Sequence, residues 1–304
     1  MNRRKSKIIC ITGGKGGTGK TLCAVNISVM FKNDGYKVLL IDGDVENPNT
    51  YLLLNGKLEN EIVIPFFLPK IIEEKCSKCG LCAKNCQNHA LLYIDDSIPI
   101  SMPSLCSGCK LCYKICPEQA IEPDSKTLGW IYSTEVNDIF LFVGELKPSE
   151  ARSAGIVEAL IETLENILKK NTFDIIILDT APGAHCDVEL LIDIADVIIP
   201  VTEPTRFGKI DLMRILELIK MLGKESKVLV NRSSLLGFRD QFLNELQREN
   251  IEILGDIPMD ADIVESYCQG TPLMENNSGF DKNGGGFIAF TKIYEKLKSW
   301  IREF

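Results

Sequence analysis

Short apolar runs alternate with stretches of helical periodicity along most of the chain. Each run ends in polar residues, which is typical of strands buried on both faces of a sheet. Between the runs, apolar residues recur every three or four positions, which predicts helices. The predicted strands are 7–12, 37–42, 139–146, 173–180, 196–204 and 226–232, and the predicted helices are 21–33, 156–169, 210–222 and 240–249. This alternation predicts an α/β fold with a mostly parallel sheet covered on both faces.

Residues 68–127 interrupt this rhythm. They hold eight of the twelve cysteines and prolines at positions 69, 99, 103, 117 and 123. Structureless loops of this length are uncommon in compact domains, so an inserted module is the better interpretation. The predicted organisation is therefore one α/β domain, made of residues 1–67 and 128–304, interrupted by a small domain at 68–127.

Composition and charge narrow the class of protein. The 304 residues are 45% hydrophobic and carry a net charge of −8, which argues against general nucleic-acid binding. No apolar run approaches the roughly 20 residues that span a bilayer, and no signal-peptide core precedes the first strand. We therefore expect a cytoplasmic protein with no nucleic-acid partner and no membrane span.

The sequence "GKGGTGKT" follows the first predicted strand and precedes the first helix. It satisfies the phosphate-loop pattern G-x-x-x-x-G-K-[ST] in the context that this pattern requires. Backbone N–H groups of the glycine turn would face the phosphates of ATP or ADP, Lys20 would contact the β- and γ-phosphates, and the Thr21 hydroxyl would bind Mg²⁺. The predicted ATP-binding residues of this loop are Gly14, Lys15, Gly16, Gly17, Thr18, Gly19, Lys20 and Thr21.

Acidic residues end two of the predicted strands. Asp179 ends "IIILD" and is the candidate carboxylate for Mg²⁺, while Asp42 and Asp44 follow "LLI" on another strand. One of these two could orient the attacking water. Gly183 would let its loop approach the γ-phosphate. The simpler alternatives are a solvated aspartate at the end of a strand for Asp179 and a polar turn for Asp42 and Asp44.

The stretch "KGGTGKT" with its early Lys15, followed by "IDGD", resembles the deviant Walker A ATPases. This superfamily contains MinD, ParA, the Mrp-type cluster carriers and the nitrogenase iron protein. The resemblance implies an ATP-dependent homodimer in which Lys15 reaches the phosphates of the partner. It also implies a role in hydrolysis for Asp44 and a place for Asp42 beside the Mg²⁺. "VNR" and "IPMD" resemble adenine-contacting segments, which makes Asn231, Pro258 and Asp260 candidates for adenine binding.

The eight clustered cysteines form two copies of C-x₂-C-x₂-C-x₃-C. In this spacing one loop supplies three ligands of a 4Fe–4S cluster and the other copy supplies the fourth. The first cluster would be bound by Cys76, Cys79, Cys82 and Cys116, and the second by Cys86, Cys106, Cys109 and Cys112. This arrangement resembles bacterial two-cluster ferredoxins, except that Gln87 stands where proline is usual and Pro117 keeps it. Zinc sites are the alternative.

The whole chain resembles MinD-superfamily ATPases with an inserted ferredoxin domain. The leading hypothesis is an ATPase whose nucleotide-driven dimer controls electron transfer through two 4Fe–4S clusters to a partner protein or metallocofactor. The catalytic candidates are Lys15, Lys20, Asp42 and Asp44. One alternative is an Mrp-like carrier for iron–sulfur assembly, and another is a MinD-like positioning protein in which the clusters sense redox state.

Several remaining residues bear on these alternatives. Cys186 resembles a cluster ligand of the nitrogenase iron protein, although a packed or exposed thiol is the simpler interpretation. We expect Cys10, Cys23 and Cys268 to be structural. The C-terminal segment places an apolar face on one side, from Phe290 to Phe304. We expect it to be the last helix of the domain, with a membrane-binding helix as the alternative.

Overall fold

The computed structural model describes residues 6–235 and 237–303. The chain forms two compact units: residues up to Ile62 and from Trp130 onward make the first, and Val63–Gly129 make the second. In chain order the elements are β1 (Lys7–Thr12), α1 (Lys20–Asn33), β2 (Val38–Gly43), α2 (Thr50–Leu53), β3 (Ile62–Ile71), a 3₁₀ turn (Glu73–Lys75), α3 (Leu81–Lys84), β4 (Leu91–Leu92), β5 (Ile100–Ser101), α4 (Leu111–Ile115), β6 (Ile121–Val136), β7 (Ile139–Leu146), α5 (Ser153–Leu168), β8 (Ile175–Thr180), α6 (Cys186–Ile194), β9 (Val197–Thr202), α7 (Arg206–Met221), β10 (Val228–Val230), α8 (Arg239–Arg248), β11 (Ile253–Asp256), α9 (Ala261–Gln269) and α10 (Gly285–Ile301).

The central sheet has the strand order β11-β10-β9-β1-β8-β2-β7-β6-β3. The strands from β11 to β7 pair in parallel along this order. Each of the strands β2, β8 and β9 has six residues, and all of them are buried. This burial accounts for the apolar run with which each strand begins. The α/β fold with a mostly parallel sheet, predicted from the alternation of strands and helices, is confirmed.

The predicted helices correspond to α1, α5, α7 and α8, and the largest difference is at the start of α7. This helix begins at Arg206 rather than 210 because the Thr205 hydroxyl accepts a hydrogen bond from the Gly208 N–H at 2.9 Å. Such a side-chain cap satisfies one of the N–H groups that a helix start leaves without a partner. Polar capping residues lie outside the apolar pattern, so periodicity alone misses them.

The C-terminal helix α10 packs its apolar face into the core, against β11 and α1. The Phe31 and Tyr294 rings meet edge to face with centroids 4.9 Å apart, and Ile293 lies so close to Gly255 that a Cβ there would be 2.5 Å away. The buried residues of this face are Phe290, Ile293, Tyr294, Leu297, Trp300 and Ile301; Phe304 lies outside the described residues. The expectation of a last domain helix is therefore confirmed for the described part, and the apolar face is not available to lipid.

The region of the predicted insertion contains two long strands that periodicity did not reveal. The sequence places the insertion at 68–127, whereas the second compact unit is Val63–Gly129, because β3 and β6 run through its two ends. Between them, β4 and β5 form a separate antiparallel pair. Each cysteine motif contains one short helix, α3 in the first and α4 in the second. Among the described residues, none of the helices combines the length and apolar character needed to cross a bilayer.

Candidate functional site

The phosphate loop connects β1 to α1 at the carboxyl end of the parallel strands, where open α/β sheets bind ligands. Two of its glycines are required by close packing. A Cβ on Gly14 would lie 2.1 Å from the backbone oxygen of Asp211, and a Cβ on Gly19 would lie 2.3 Å from the side-chain nitrogen of Asn231. Gly19 also has a φ of 96°, in the left-handed region. Glycine is therefore required at these two positions of the loop, by the close neighbours at both and also by the backbone conformation at Gly19.

Lys20, at the start of α1, is buried among carboxylates. Burial lowers the pKa of its ammonium group, and the nearby Asp179 and Asp44 oppose that shift. Its Nζ donates a hydrogen bond to the Lys15 backbone oxygen at 3.3 Å. A buried cation at the N-terminus of a helix, next to a glycine-rich loop, attracts phosphate oxygens strongly.

Asp42 and Asp179 lie side by side at the ends of β2 and β8, where they are paired in register. Both are fully buried. Asp42 accepts hydrogen bonds from the Asn49 and Thr50 N–H groups at 2.9 Å each and from the Thr50 hydroxyl at 2.8 Å. Burial raises the pKa of Asp42, and these donors oppose the rise.

The two side-chain oxygens of Asp179 have no hydrogen-bond donor of normal geometry among the described residues. Burial raises the pKa of Asp179 well above its usual range, the charge of Asp42 adds to the rise, and the Thr21 hydroxyl and Lys20 oppose it. Buried carboxylate oxygens without partners are costly, and a hard cation satisfies them. Asp179, with the Thr21 hydroxyl beside it, could therefore hold Mg²⁺, and Asp42 could support the same ion through its ligands.

Asp44 directly follows β2 and is less deeply buried than Asp42. Burial raises its pKa to about 6, the charge of Asp42 adds to this, and Lys20 opposes it. It lines the cavity described below together with Lys20 and Thr21. A carboxylate with this pKa is partly protonated near neutral pH and could accept a proton from a water molecule.

Lys15 does not point into this cavity. Its Nζ donates to Glu203 Oε1 at 3.0 Å, and Arg232 donates to Glu203 Oε2, also at 3.0 Å. Glu203 is buried, and although burial by itself raises its pKa, the bonds from Lys15 and Arg232 hold that pKa below the usual value. The sequence analysis did not single out Glu203 or Arg232. The signal that could have found them is their position at the carboxyl edge of the sheet: Glu203 is the first residue after β9, and Arg232 is the second after β10.

A cavity of about 470 Å³ extends from the phosphate loop toward α9. Of the predicted ATP-binding residues, the cavity wall includes Gly16, Gly17, Gly19, Lys20, Thr21, Asn231, Pro258 and Asp260. The wall does not include Gly14, Lys15, Thr18 or Gly183. Residues that the sequence analysis missed are Leu22, Asn49, Leu53, Pro182, Arg232, Met259, Ile263, Val264 and Tyr267. Apart from Asn49 and Arg232, these residues are apolar or aromatic, and a search for polar motifs does not find such residues.

Two of the adenine candidates have structural contacts that explain their presence. Asn231 donates from its side-chain nitrogen to the Thr18 carbonyl at 2.8 Å, which ties β10 to the phosphate loop. Asp260 caps α9 by accepting from the Asp262 N–H at 2.9 Å, and its other oxygen accepts from the Gly286 N–H at 2.8 Å.

Gly183 has a φ of 100°, in the left-handed region. Its N–H donates a hydrogen bond to the Gly13 carbonyl at 3.0 Å, which connects the loop after β8 to the start of the phosphate loop.

In the second unit, one small cavity is lined by Cys76, Cys79, Cys82 and Cys116 and does not include Cys86. Three of these cysteines come from the first motif and the fourth from the second. Burial raises the pKa of Cys82, and Cys116 and Cys76 are the thiols whose proximity adds to it. This combination of four thiols fits the ligand set of a cubane cluster, in which each thiolate binds a different iron.

In the second predicted set, Cys106, Cys109 and Cys112 are close together, whereas the structure shows no contact of Cys86 with them among the described residues. Burial raises the pKa of Cys112 to about 11, and the neighbouring Cys106, Cys109 and Cys82 add to the rise. The last cysteine of each motif has the same local contact: Cys86 accepts from the Ala90 N–H and Cys116 from the Ala120 N–H, both at 3.2 Å. Within residues 6–235 and 237–303, no group of three or more His, Cys, Asp or Glu side chains is placed to hold a single metal ion.

The cysteines outside the motifs differ in exposure. Cys10 in β1 and Cys23 in α1 are buried, and burial raises the pKa of both thiols. Cys186, the first residue of α6, is exposed. Cys268 is exposed on α9, so it contributes nothing to the core, although its neighbouring sequence suggested a structural residue.

Comparison with known proteins agrees with the geometry of the phosphate loop. An uncharacterised protein of Methanocaldococcus jannaschii is 35% identical over 297 residues, which cover 97% of each chain. An iron-sulfur cluster carrier protein of Pyrococcus horikoshii is 22% identical, with 97% of this chain and 86% of the carrier covered. The septum site-determining protein MinD of Pyrococcus horikoshii, solved with Mg-ADP, has the same fold, with a TM-score of 0.60, 21% identity and 97% of each chain covered. Residues 9–273 match the CobQ/CobB/MinD/ParA nucleotide binding domain, and the chain belongs to this family.

Proposed function

We propose that this protein is an ATP-hydrolysing iron–sulfur protein. In this proposal two copies pair in the presence of ATP, and this pairing controls electron transfer through two 4Fe–4S clusters to a partner protein. The observation that carries the iron–sulfur part is the cavity that Cys116 shares with Cys76, Cys79 and Cys82. Ligands exchanged between two cysteine motifs are the mark of a two-cluster ferredoxin module, which would occupy 68–127.

The nucleotide part is supported by family membership and by the buried groups of the phosphate loop. Lys20 and the loop N–H groups would bind the β- and γ-phosphates. The unpartnered oxygens of Asp179 and the Thr21 hydroxyl would hold Mg²⁺, which when bound neutralises charge on the phosphates. Asp44, with its pKa near 6, would position the attacking water.

Lys15 supports the dimer part of the proposal. Its ammonium group is bonded to Glu203 and is not part of the wall of the nucleotide cavity of its own protomer. In the proposed dimer Lys15 would reach the phosphates of the partner copy. The bound nucleotide would then determine whether two copies associate, and association would change how the cluster-bearing units meet a redox partner.

The test of this proposal is anaerobic purification and reconstitution, followed by iron counting and by EPR of the reduced protein with and without Mg-ATP. We expect about eight irons per chain and signals from two interacting clusters. Mg-ATP should change the reduction potential or the rate of oxidation, and a Lys20→Gln variant with the same iron content should not respond. Zinc in place of iron, or clusters indifferent to ATP in the wild type, would contradict the proposal.

A second candidate is an iron–sulfur cluster carrier, and the similarity to the carrier protein of Pyrococcus horikoshii favours it. The two functions differ in what leaves the protein. A carrier gives its cluster to an apo-protein, so iron and sulfide move together, whereas an electron-transfer protein keeps its iron and loses only electrons. Incubation of the ⁵⁷Fe-loaded protein with an apo-ferredoxin, followed by separation and Mössbauer spectroscopy of both proteins, distinguishes them.

A further inference from the structure

Two cations share one buried carboxylate beside the phosphate loop. The Lys15 ammonium group donates to Glu203 Oε1 and the Arg232 guanidinium group donates to Oε2, each at 3.0 Å. The Glu203 side chain is 9% exposed, whereas both cationic side chains are 44% exposed. Glu203 therefore has one cation more than it needs for neutrality.

Arg232 is anchored to its own protomer by the backbone on both sides. Its N–H donates to the side-chain oxygen of Asn231 at 2.9 Å, and the side-chain nitrogen of Asn231 donates to the Thr18 carbonyl at 2.8 Å. The next residue, Ser233, donates from its N–H to the Ile257 carbonyl at 2.8 Å. The base of the Arg232 side chain is thus fixed between the phosphate loop and the residue that follows β11.

The backbone conformation of Arg232 indicates that its side chain has a use. Its φ is 51°, in the left-handed region that few residues other than glycine adopt. Glycine adopts this conformation at lower energy, but glycine would leave Glu203 Oε2 without its cation. A side chain that is kept at such a position points to a function for that side chain.

Glu203 is also held in place, whereas Lys15 is not. The Glu203 backbone oxygen accepts a hydrogen bond from the Thr205 N–H at 2.7 Å, and a Cβ on Gly208 would lie 2.3 Å from the same oxygen. The turn into α7 is therefore packed closely around Glu203. By contrast, the Lys15 Nζ has Glu203 as its only side-chain acceptor among residues 6–235 and 237–303. When Lys15 leaves, the carboxylate stays buried where it is.

The energy needed to release Lys15 depends on what remains at Glu203. With Arg232 in place, a one-to-one ion pair remains after Lys15 has left. Without Arg232, the same departure would leave a buried carboxylate with no cation, which is strongly unfavourable. The pKa of Glu203 reflects both influences, because burial by itself raises it and the bonds from Lys15 and Arg232 hold it below the usual value.

We propose that Arg232 is a positioning residue for the ATP-dependent dimer. It keeps Glu203 paired and thereby lets Lys15 leave for the phosphates of the partner copy. This inference rests on the proposed function, because it assumes that Lys15 crosses between two copies. Arg232 acts through Glu203, and no covalent bond forms or breaks.

The test measures dimerisation of the full-length reconstituted protein by analytical ultracentrifugation with Mg-ATP. Arg232 also lines the nucleotide cavity, so the ATP affinity of each variant is measured first and all variants are compared at saturating Mg-ATP. Arg232→Gln should need about fivefold more protein, or a larger excess, to dimerise. Arg232→Gly suits the left-handed backbone and should behave in the same way. Arg232→Lys should stay within about twofold of the wild type, because one N–H group makes the contact with Glu203.

A second substitution shows whether Arg232 acts through Glu203. In Glu203→Gln/Arg232→Gln no carboxylate needs a cation, so this double variant should dimerise like Glu203→Gln alone. A purely structural role of Arg232 would weaken dimerisation in both backgrounds. The matched control is Arg239→Gln, which removes an arginine side chain that is 40% exposed and whose partner Asp240 is 88% exposed. This control should dimerise like the wild type.

Wild-type dimerisation of both Arg232→Gln and Arg232→Gly would overturn the proposal, as would an equal loss with and without the Glu203 carboxylate. Easier dimerisation of Arg232→Gln would also overturn it, because Arg232 would then hinder the release of Lys15. Wild-type protein that remains monomeric at saturating Mg-ATP would instead contradict the proposed function.

Discussion

Lys15 and Glu203 form an ion pair of 3.0 Å that joins the phosphate loop to the end of β9. Glu203 is buried, and Arg232 contacts its second oxygen, so the carboxylate is fixed from two sides. Lys15 is half exposed. The proposed dimer places the Lys15 ammonium group in the active site of the partner copy. In the structure it is held by Glu203 of its own protomer, so it must leave Glu203 to reach a phosphate of the partner.

Glu203→Gln should make this departure easier. A partly exposed ion pair contributes up to about 1 kcal/mol, which is a factor of about five. We expect ATP-dependent dimerisation at a protein concentration about two- to fivefold lower than in the wild type, measured by analytical ultracentrifugation with Mg-ATP. The control is Glu245→Gln, which removes a Lys–Glu pair of 2.7 Å on α7 and α8. A Glu203→Gln variant that dimerises less readily would mean that Glu203 positions Lys15 for the dimer.

The two lysines of the loop should separate binding from hydrolysis. Lys20 is buried beside the cavity, so Lys20→Gln should weaken ATP binding at least tenfold in equilibrium dialysis. Lys15 is outside that cavity, so Lys15→Gln should leave the affinity within about threefold while lowering hydrolysis about a hundredfold. Equal losses of affinity in both variants would place Lys15 on the phosphates of its own protomer.

The residues of this site that stand in local sequence motifs could be predicted, whereas those brought together by the order of the strands could not. The phosphate loop and the acids Asp42 and Asp179 stand in local motifs at the ends of apolar strands, and the strands bring these acids into register. Glu203 and Arg232 follow β9 and β10 and are far from Lys15 in sequence. The contacts of Glu203 with Lys15 and with Arg232 depend on strand order, which one sequence does not reveal. The apolar wall of the cavity, including Leu53 and Tyr267, has the same origin. Sheet topology, rather than local chemistry, is what the sequence analysis lacked.

The buried carboxylates predict a pH dependence for the nucleotide-free protein. Burial raises the pKa of Asp44 to about 6 and that of Asp179 above its usual range, so the folded state holds protons that the unfolded chain has released. The stability from these protons is present below the unfolded pKa of about 4 and is lost as pH rises, through about 6 for Asp44 and continuing to higher pH for Asp179. We expect the free energy of unfolding without Mg²⁺ to fall between pH 4 and pH 7, and Asp179→Asn to flatten that fall. Urea denaturation across this range measures it.

Asp42 and Asp179, which are paired in register, should respond in opposite directions to amide substitution. Asp179 has no donor of normal hydrogen-bond geometry, so removing its buried charge should outweigh the loss of its contact with the nearby Thr21 hydroxyl. Asp179→Asn should therefore stabilise the Mg-free protein at pH 7 by about 1–3 kcal/mol and abolish the added stability from Mg-ADP. Asp42 accepts from Asn49 and Thr50, so Asp42→Asn should destabilise by a similar amount, because an amide nitrogen would face those donors. Thermal unfolding with and without Mg-ADP checks both. Destabilisation by Asp179→Asn would show that its oxygens have partners in the nucleotide-free protein.

Single cysteine substitutions should reveal which thiols share a cluster. Cys116 lines the cavity of the first motif and Cys86 does not, so Cys116→Ala should disturb the cluster of Cys76, Cys79 and Cys82, while Cys86→Ala should disturb the other. Each variant should lose one EPR signal and up to about four irons, and the two should lose different signals. The exposed thiols Cys186 and Cys268 serve as controls, since Cys186→Ala and Cys268→Ala should retain both signals. If Cys116→Ala instead disturbed the cluster of Cys106, Cys109 and Cys112, each motif would hold its own cluster, and the proposed exchange of ligands would be wrong.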